Sequence, residues 1–314
     1  MAADSLLTAP SAMVGRRFFL ASYLPTASAT LFVLVIVWAG ARGWRPARRH
    51  RLDFTAAWNT GAHLGAAEIL GLALLIALLS FLLSPLQTRL VQLLSVRRPR
   101  GWQARRRGKL RDRAVIAFSS TPPSAATVQR AGMAGYELRR RFPPAEDDEA
   151  LRATAFGNAL EAGADRAGRP YGLDTATAWP RLYPVLGDQV RAVVDDRRDV
   201  MDASARTVVT MAGTAVISLI LLLDTGRWLA LVAIPVGLAL LAYQAAVQAA
   251  LAYVDAVCVA FDLHHLDLLA ALHIQIPDTA PQQQRALAAL SDLWRQGIPL
   301  PQSVPRAVTF RKDS

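Results

Sequence analysis

The chain is 314 residues long, 53% hydrophobic, and carries a formal net charge of +11 with a single cysteine. A lone cysteine, Cys258, excludes an internal disulfide and any metal site built on cysteines. An ordinary soluble domain is excluded as well, because the apolar residues gather in four runs long enough to cross a bilayer, for which a helix needs roughly 20 apolar residues across ~30 Å of hydrocarbon. The positive balance first reflects orientation in a membrane and attraction to anionic headgroups. Nearly all of it is arginine, with Lys109 and Lys312 the only lysines, a usage that together with abundant alanine matches GC-rich coding.

A tail, 1–17, leads into the first apolar run, 18–41. Pro25 marks its start or a kink, with Phe18, Phe19 and Tyr23 at one headgroup level and Trp38 and Trp44 at the other. Arg16-Arg17-Phe18-Phe19-Leu20 resembles a twin-arginine export signal. The run is longer than a signal core, however, and the arginines after Ala41 oppose export. A second run, 62–83, completes a transmembrane hairpin over 18–84, with Glu68 near enough to its start to reach the interface.

The segment 85–206 is expected to be a basic, largely helical cytoplasmic region. Residues 86–94 place leucines and a valine on one helical face and then give way to Arg97, Arg98, Arg100, Arg105, Arg106 and Arg107, which would contact lipid headgroups. Trp102 among those charges fits an interfacial position. Nucleic acid is not the expected partner, since no recognised binding fold accompanies the cluster. From 114 to 149 the pattern is loop-like, broken by Pro122-Pro123 and Pro143-Pro144. The acidic run Glu146-Asp147-Asp148-Glu149 is placed to cap a helix over 150–165. A turn at Gly168–Gly172 follows, then Trp179-Pro180-Arg181-Leu182-Tyr183-Pro184, whose two prolines predict a tight non-helical connector. Tyr171, Trp179 and Arg181 are the candidate contacts for a protein partner.

From Asp188 a charged helix should run directly into the third apolar stretch, and Asp224-Thr225-Gly226-Arg227 should turn the chain into the fourth. These two runs, 207–223 and 228–250, form a second hairpin over 207–250, followed by a helical extension and tail, 251–314, with a polar helix at 281–296. The arginines after span one and those after span two lie on opposite sides; the second cluster is denser, which places both termini and the 85–206 region in the cytoplasm.

Polar residues within spans carry the functional signal. Thr210, Thr214 and Ser218 recur every fourth residue of span three, on one helical face. Gln244, Gln248, Asp255 and Asp262 fall at spacings of four, seven and seven along span four and its extension, sharing a stripe, while nearby alanines allow close approach of a neighbour. Such stripes either pack against a helix or a second copy of the chain, or line a pathway for an ion or small solute. Pro235 removes a hydrogen bond inside span four. His264 and His265 sit beside Asp262 and Asp267, but adjacent helical positions cannot aim at one ligand, so no metal is expected. No nucleophile motif, phosphate-binding glycine loop or cofactor motif is present, which argues against an enzyme.

Three segments, Gly157-Asn158-Ala159-Leu160, Tyr171-Gly172-Leu173-Asp174 and Trp179-Pro180-Arg181-Leu182, precede a late Phe261-Asp262-Leu263-His264. This series resembles a group of uncharacterised bacterial multi-pass membrane proteins, over 150–274 by motif and over the first hairpin by hydropathy alone. The resemblance implies an all-α integral membrane protein of bacterial origin, and it brings no activity and no site residues. Two expectations follow: a non-enzymatic scaffold or sensor-effector in the bacterial cytoplasmic membrane, whose cytoplasmic face binds itself or a protein partner, or a channel or transporter that uses the polar stripes.

Overall fold

The computed structural model describes residues 23–41, 52–83, 101–119, 124–144, 150–275 and 278–300. Ten α-helices are found among them: α1 Leu24–Trp38, α2 Phe54–Ala62, α3 Ala66–Leu83, α4 Gly101–Ser119, α5 Ala125–Arg141, α6 Ala155–Gly168, α7 Thr175–Leu182, α8 Asp188–Leu222, α9 Ala233–Ala271 and α10 Ala280–Gln296. The segments 1–17 and 85–100, with Arg97, Arg98 and Arg100, and the acidic run at 146–149 lie outside the described residues. The chain divides into two compact units, Met1–Leu94 with Asp199–Gln248, and Ser95–Arg198 with Ala249–Ser314.

Two helices are long and apolar enough to cross a membrane, Asp188–Leu222 and Gly226–Ala271. At a rise of ~1.5 Å per residue, α8 is ~52 Å long and α9 ~58 Å, so each exceeds a ~30 Å hydrocarbon core by a wide margin. The polar beginning of α8 and the end of α9 therefore extend beyond any bilayer that the apolar parts cross. α2 and α3 pass the same test only together, and they bend by 105° at the break between them. The second apolar run thus starts its helix at Ala66 rather than 62, because Glu68 reaches back to accept from the Gly65 N–H at 3.0 Å and fixes a new helix start there. In the first run, the described helix α1 spans 15 residues.

In the first unit, Ile36, Ala39 and Ala41 at the end of α1 pack with Leu52, with Ala57 of α2 and with Leu222 at the end of α8. Asp53 caps α2 by accepting from the Thr55 and Ala56 N–H groups. The Phe54 and Trp228 rings meet edge-on with centroids 5.1 Å apart. After α8 the chain turns at once, as its Asp-Thr-Gly sequence predicts, into a 3₁₀ segment, Gly226–Val232. Pro235 consequently stands in the first turn of α9, where its missing N–H has no intrahelical acceptor to lose. The expected mid-span loss is replaced by a helix start.

The second unit corrects two local expectations. The described part of 114–149 is mostly helical: α4 runs to Ser119, and α5 starts at Ala125 with Ser124 accepting from the Thr127 N–H. Pro143 and Pro144 follow the end of α5 instead of interrupting it, which a composition count cannot distinguish, and Pro122-Pro123 lie outside the described residues. Likewise α7 is a helix that contains Pro180. One lost hydrogen bond is tolerated because the helix has only eight residues and is held by Ala178 and Leu182, both fully buried. Thr154 caps α6 by accepting from the Gly157 N–H at 3.0 Å, so that helix starts at Ala155. The core of this unit gathers Leu173, Leu182, Leu186 and Val194 with Phe261, Leu268 and Leu269 of α9 and Leu287 and Leu290 of α10.

Candidate functional site

The motif segments, spread over more than 100 residues of chain, converge around the extension of α9. Asn158 is fully buried, accepts from the Arg152 N–H at 2.7 Å and donates to the Arg152 carbonyl at 3.0 Å, closing the loop before α6. Arg152 then pairs with Glu161 through Nε at 3.1 Å. Gly163 lies so close to α9 that a Cβ there would sit 2.3 Å from Val254 Cγ1. Gly172 has φ +79° and backs onto the Gln284 carbonyl, with a Cβ contact of 2.5 Å, so both conformation and space demand glycine. The Asp174 N–H donates to Ser291 Oγ of α10 at 3.0 Å. The first motif thus ties the loop to the start of α6, and the second is clasped to α10.

Charge concentrates at Asp255. Arg140 of α5 donates to Asp255 Oδ2 through Nη2 at 2.7 Å and Nε at 3.2 Å, and Arg166 of α6 donates to Oδ1. Arg166 Nε also reaches Cys258 Sγ at 3.4 Å. One turn further, Asp262 accepts from the Tyr171 hydroxyl at 2.6 Å. Burial first, and then this bond to a carboxylate, push the Tyr171 hydroxyl up to about 12. Burial also raises the Cys258 thiol, outweighing the opposing pull of Arg166, which keeps the sulfur protonated and a poor nucleophile at neutral pH. His265 donates through Nδ1 to the Phe261 carbonyl at 2.9 Å and stacks on Tyr171 with centroids 4.0 Å apart. His264 pairs with Asp267 at 2.7 Å. No group of three metal-capable side chains occurs among the described residues.

Beside this network an open groove of about 210 Å³ runs between α6, α7 and α9, lined by Leu160, Gly163, Ala176, Trp179, Pro180 and Tyr253. Trp179 forms its wall while stacking on Phe261, centroids 6.0 Å apart, and Arg181 lies 4.6 Å over the Trp294 ring. Of the candidate partner contacts, Trp179 therefore faces the groove, whereas Tyr171 and Arg181 are engaged within the unit.

The two span stripes have different surroundings. Thr214 is buried and donates to the Thr210 carbonyl at 2.8 Å, and Ser218 is fully buried with a hydroxyl that bonds to no described residue. Gln244, Gln248 and Asp262 are exposed, whereas Asp255 on the same stripe is half-buried. On α4, Arg105 and Arg106 are exposed, whereas Arg107 is buried and donates to the Pro144 carbonyl at 2.6 Å. Arg140 and Arg166 escaped sequence reasoning because they lie 115 and 89 residues from Asp255, and no local spacing signals such a pair. Comparison of the chain with protein-family models, with curated proteins and with solved structures finds no match.

Proposed function

We propose that the protein is a non-enzymatic scaffold or sensor-effector of the bacterial cytoplasmic membrane, in which two transmembrane hairpins anchor a helical cytoplasmic module that binds a protein partner. The observation that carries this reading is the contrast at the α9 extension. Its ionic and polar groups are bonded within the chain, while the adjoining groove is apolar and open. Fixed ion pairs hold a shape, and an open apolar groove with an aromatic wall accepts a side chain. The exposed face of α4, with Arg105, Arg106, Lys109, Arg111 and Arg113, suits anionic headgroups. Four spans with both termini inside agree with the packing of the α1 end against the α8 end, since that topology puts both on the external side. Trp38, Trp228 and the highly exposed Trp58 there fit an aromatic belt.

The test is a photo-crosslinking amino acid at Ala176, an exposed groove position, in native membranes. A discrete adduct that Pro180→Arg abolishes, with membrane insertion retained, supports partner binding; absence of any adduct along the groove rejects it. A second reading, transport, has one favouring observation, the unbonded buried hydroxyl of Ser218. Flux in proteoliposomes separates the two: wild type, Gln248→Leu and Asp255→Asn should all stay at the level of empty vesicles.

A further inference from the structure

The stripe on α9 is longer than the charge network it feeds. Gly237, Leu241, Gln244, Gln248, Leu251, Asp255, Cys258 and Asp262 follow one another at intervals of four and three. That is the seam of a left-handed helix pair. From Leu251 onward the seam is engaged by the chain itself: Leu251 is fully buried, Arg140 and Arg166 hold Asp255, Arg166 reaches Cys258, and Tyr171 bonds the exposed Asp262. From Gly237 to Gln248 it is open. Leu241 is 65% exposed, both glutamines are exposed, and a Cβ at Gly237 would meet nothing within 4 Å. Neither carboxamide bonds to another described residue.

We infer that this open half of the seam is a two-fold interface with a second copy of the chain, closed by hydrogen bonds between the Gln244 and Gln248 carboxamides. The inference rests on the proposed crossing of the bilayer by 228–250. In hydrocarbon an exposed amide has no water to bond, so it draws a partner across a helix interface. A carboxamide is donor and acceptor at once and carries no charge, so the same group on a copy related by a two-fold axis can both donate to it and accept from it. A charged partner would not be selected. Gly237 lets the two backbones approach at the end of the seam opposite the network.

The experiment uses the full chain reconstituted in liposomes, with Cys258→Ser removing the native thiol. Under an oxidant, Leu241→Cys and Gln244→Cys should form disulfide-linked dimers, and Val236→Cys, exposed on another face, should not. By energy transfer on lipid dilution, Gln244→Leu with Gln248→Leu should weaken the dimer by about tenfold or more. A monomer at all dilutions, equal cross-linking at Val236→Cys, or a dimer untouched by the leucine pair would overturn the interface. Failure of the crossing itself has a different signature: Gln244→Cys would then react rapidly with a membrane-impermeant maleimide, whereas a lipid-embedded monomer would leave it unlabelled.

Discussion

Gly163 shows how closely the second unit is packed around α9. A methyl group there would collide with both methyls of Val254, at 2.3 and 2.4 Å, so Gly163→Ala should destabilise the protein by about 1–3 kcal/mol in thermal unfolding. Val254→Ala on top of it should restore part of the loss, which a general loss of backbone flexibility would not allow. Tyr171 tests the polar side of the same contact. Its hydroxyl titrates at about 12 in the folded chain, against ~10 when unfolded. The folded state therefore keeps its proton where the unfolded state has lost it, and the bond contributes fully below ~10 and is lost as pH rises to about 12. The melting temperature of the wild type should fall more steeply between pH 10 and 12 than that of Tyr171→Phe, and equal slopes would refute the assignment.

At the scale of elements, helix starts follow local chemistry, and helix placement follows distant clasps. Asp53, Ser124 and Thr154 each cap a helix by accepting backbone N–H groups, and those residues are visible in the sequence. Asn158 acts differently, because its fully buried side chain satisfies both the N–H and the carbonyl of Arg152. Asn158→Ala would leave those groups buried without partners, at a cost of about 2–4 kcal/mol, and should loosen the loop before α6 first. Hydrogen exchange at Arg152 and its neighbours is the measurement; unchanged protection there would show that the clasp contributes nothing. The helical state of α7 despite Pro180 belongs to this scale too, since the burial of Ala178 and Leu182 outweighs one missing backbone bond.

For the whole molecule, the decisive property is that α8 and α9 are each far longer than a bilayer is thick, so one pair of helices is long and apolar enough to cross a membrane and still contributes residues to the helical core around Phe261. If the second hairpin turns outside the cell, Thr225→Cys in a Cys258→Ser background should label from the outside of intact cells, and Asp188→Cys only after permeabilisation. The opposite pattern would invert the topology. Apolar run length is a local quantity, so the helical class and the presence of helices long and apolar enough to cross a membrane, α8 and α9 among them, could be read from the chain alone. Helices α5 and α7 could not, because a proline after a helix, as at Pro143, looks the same in the sequence as one within it, as at Pro180. The partners of Asp255 were beyond reach for a different reason. Ion pairing depends on distance in space, and only the folding of α5 and α6 onto α9 brings Arg140 and Arg166 to a carboxylate about a third of the chain away.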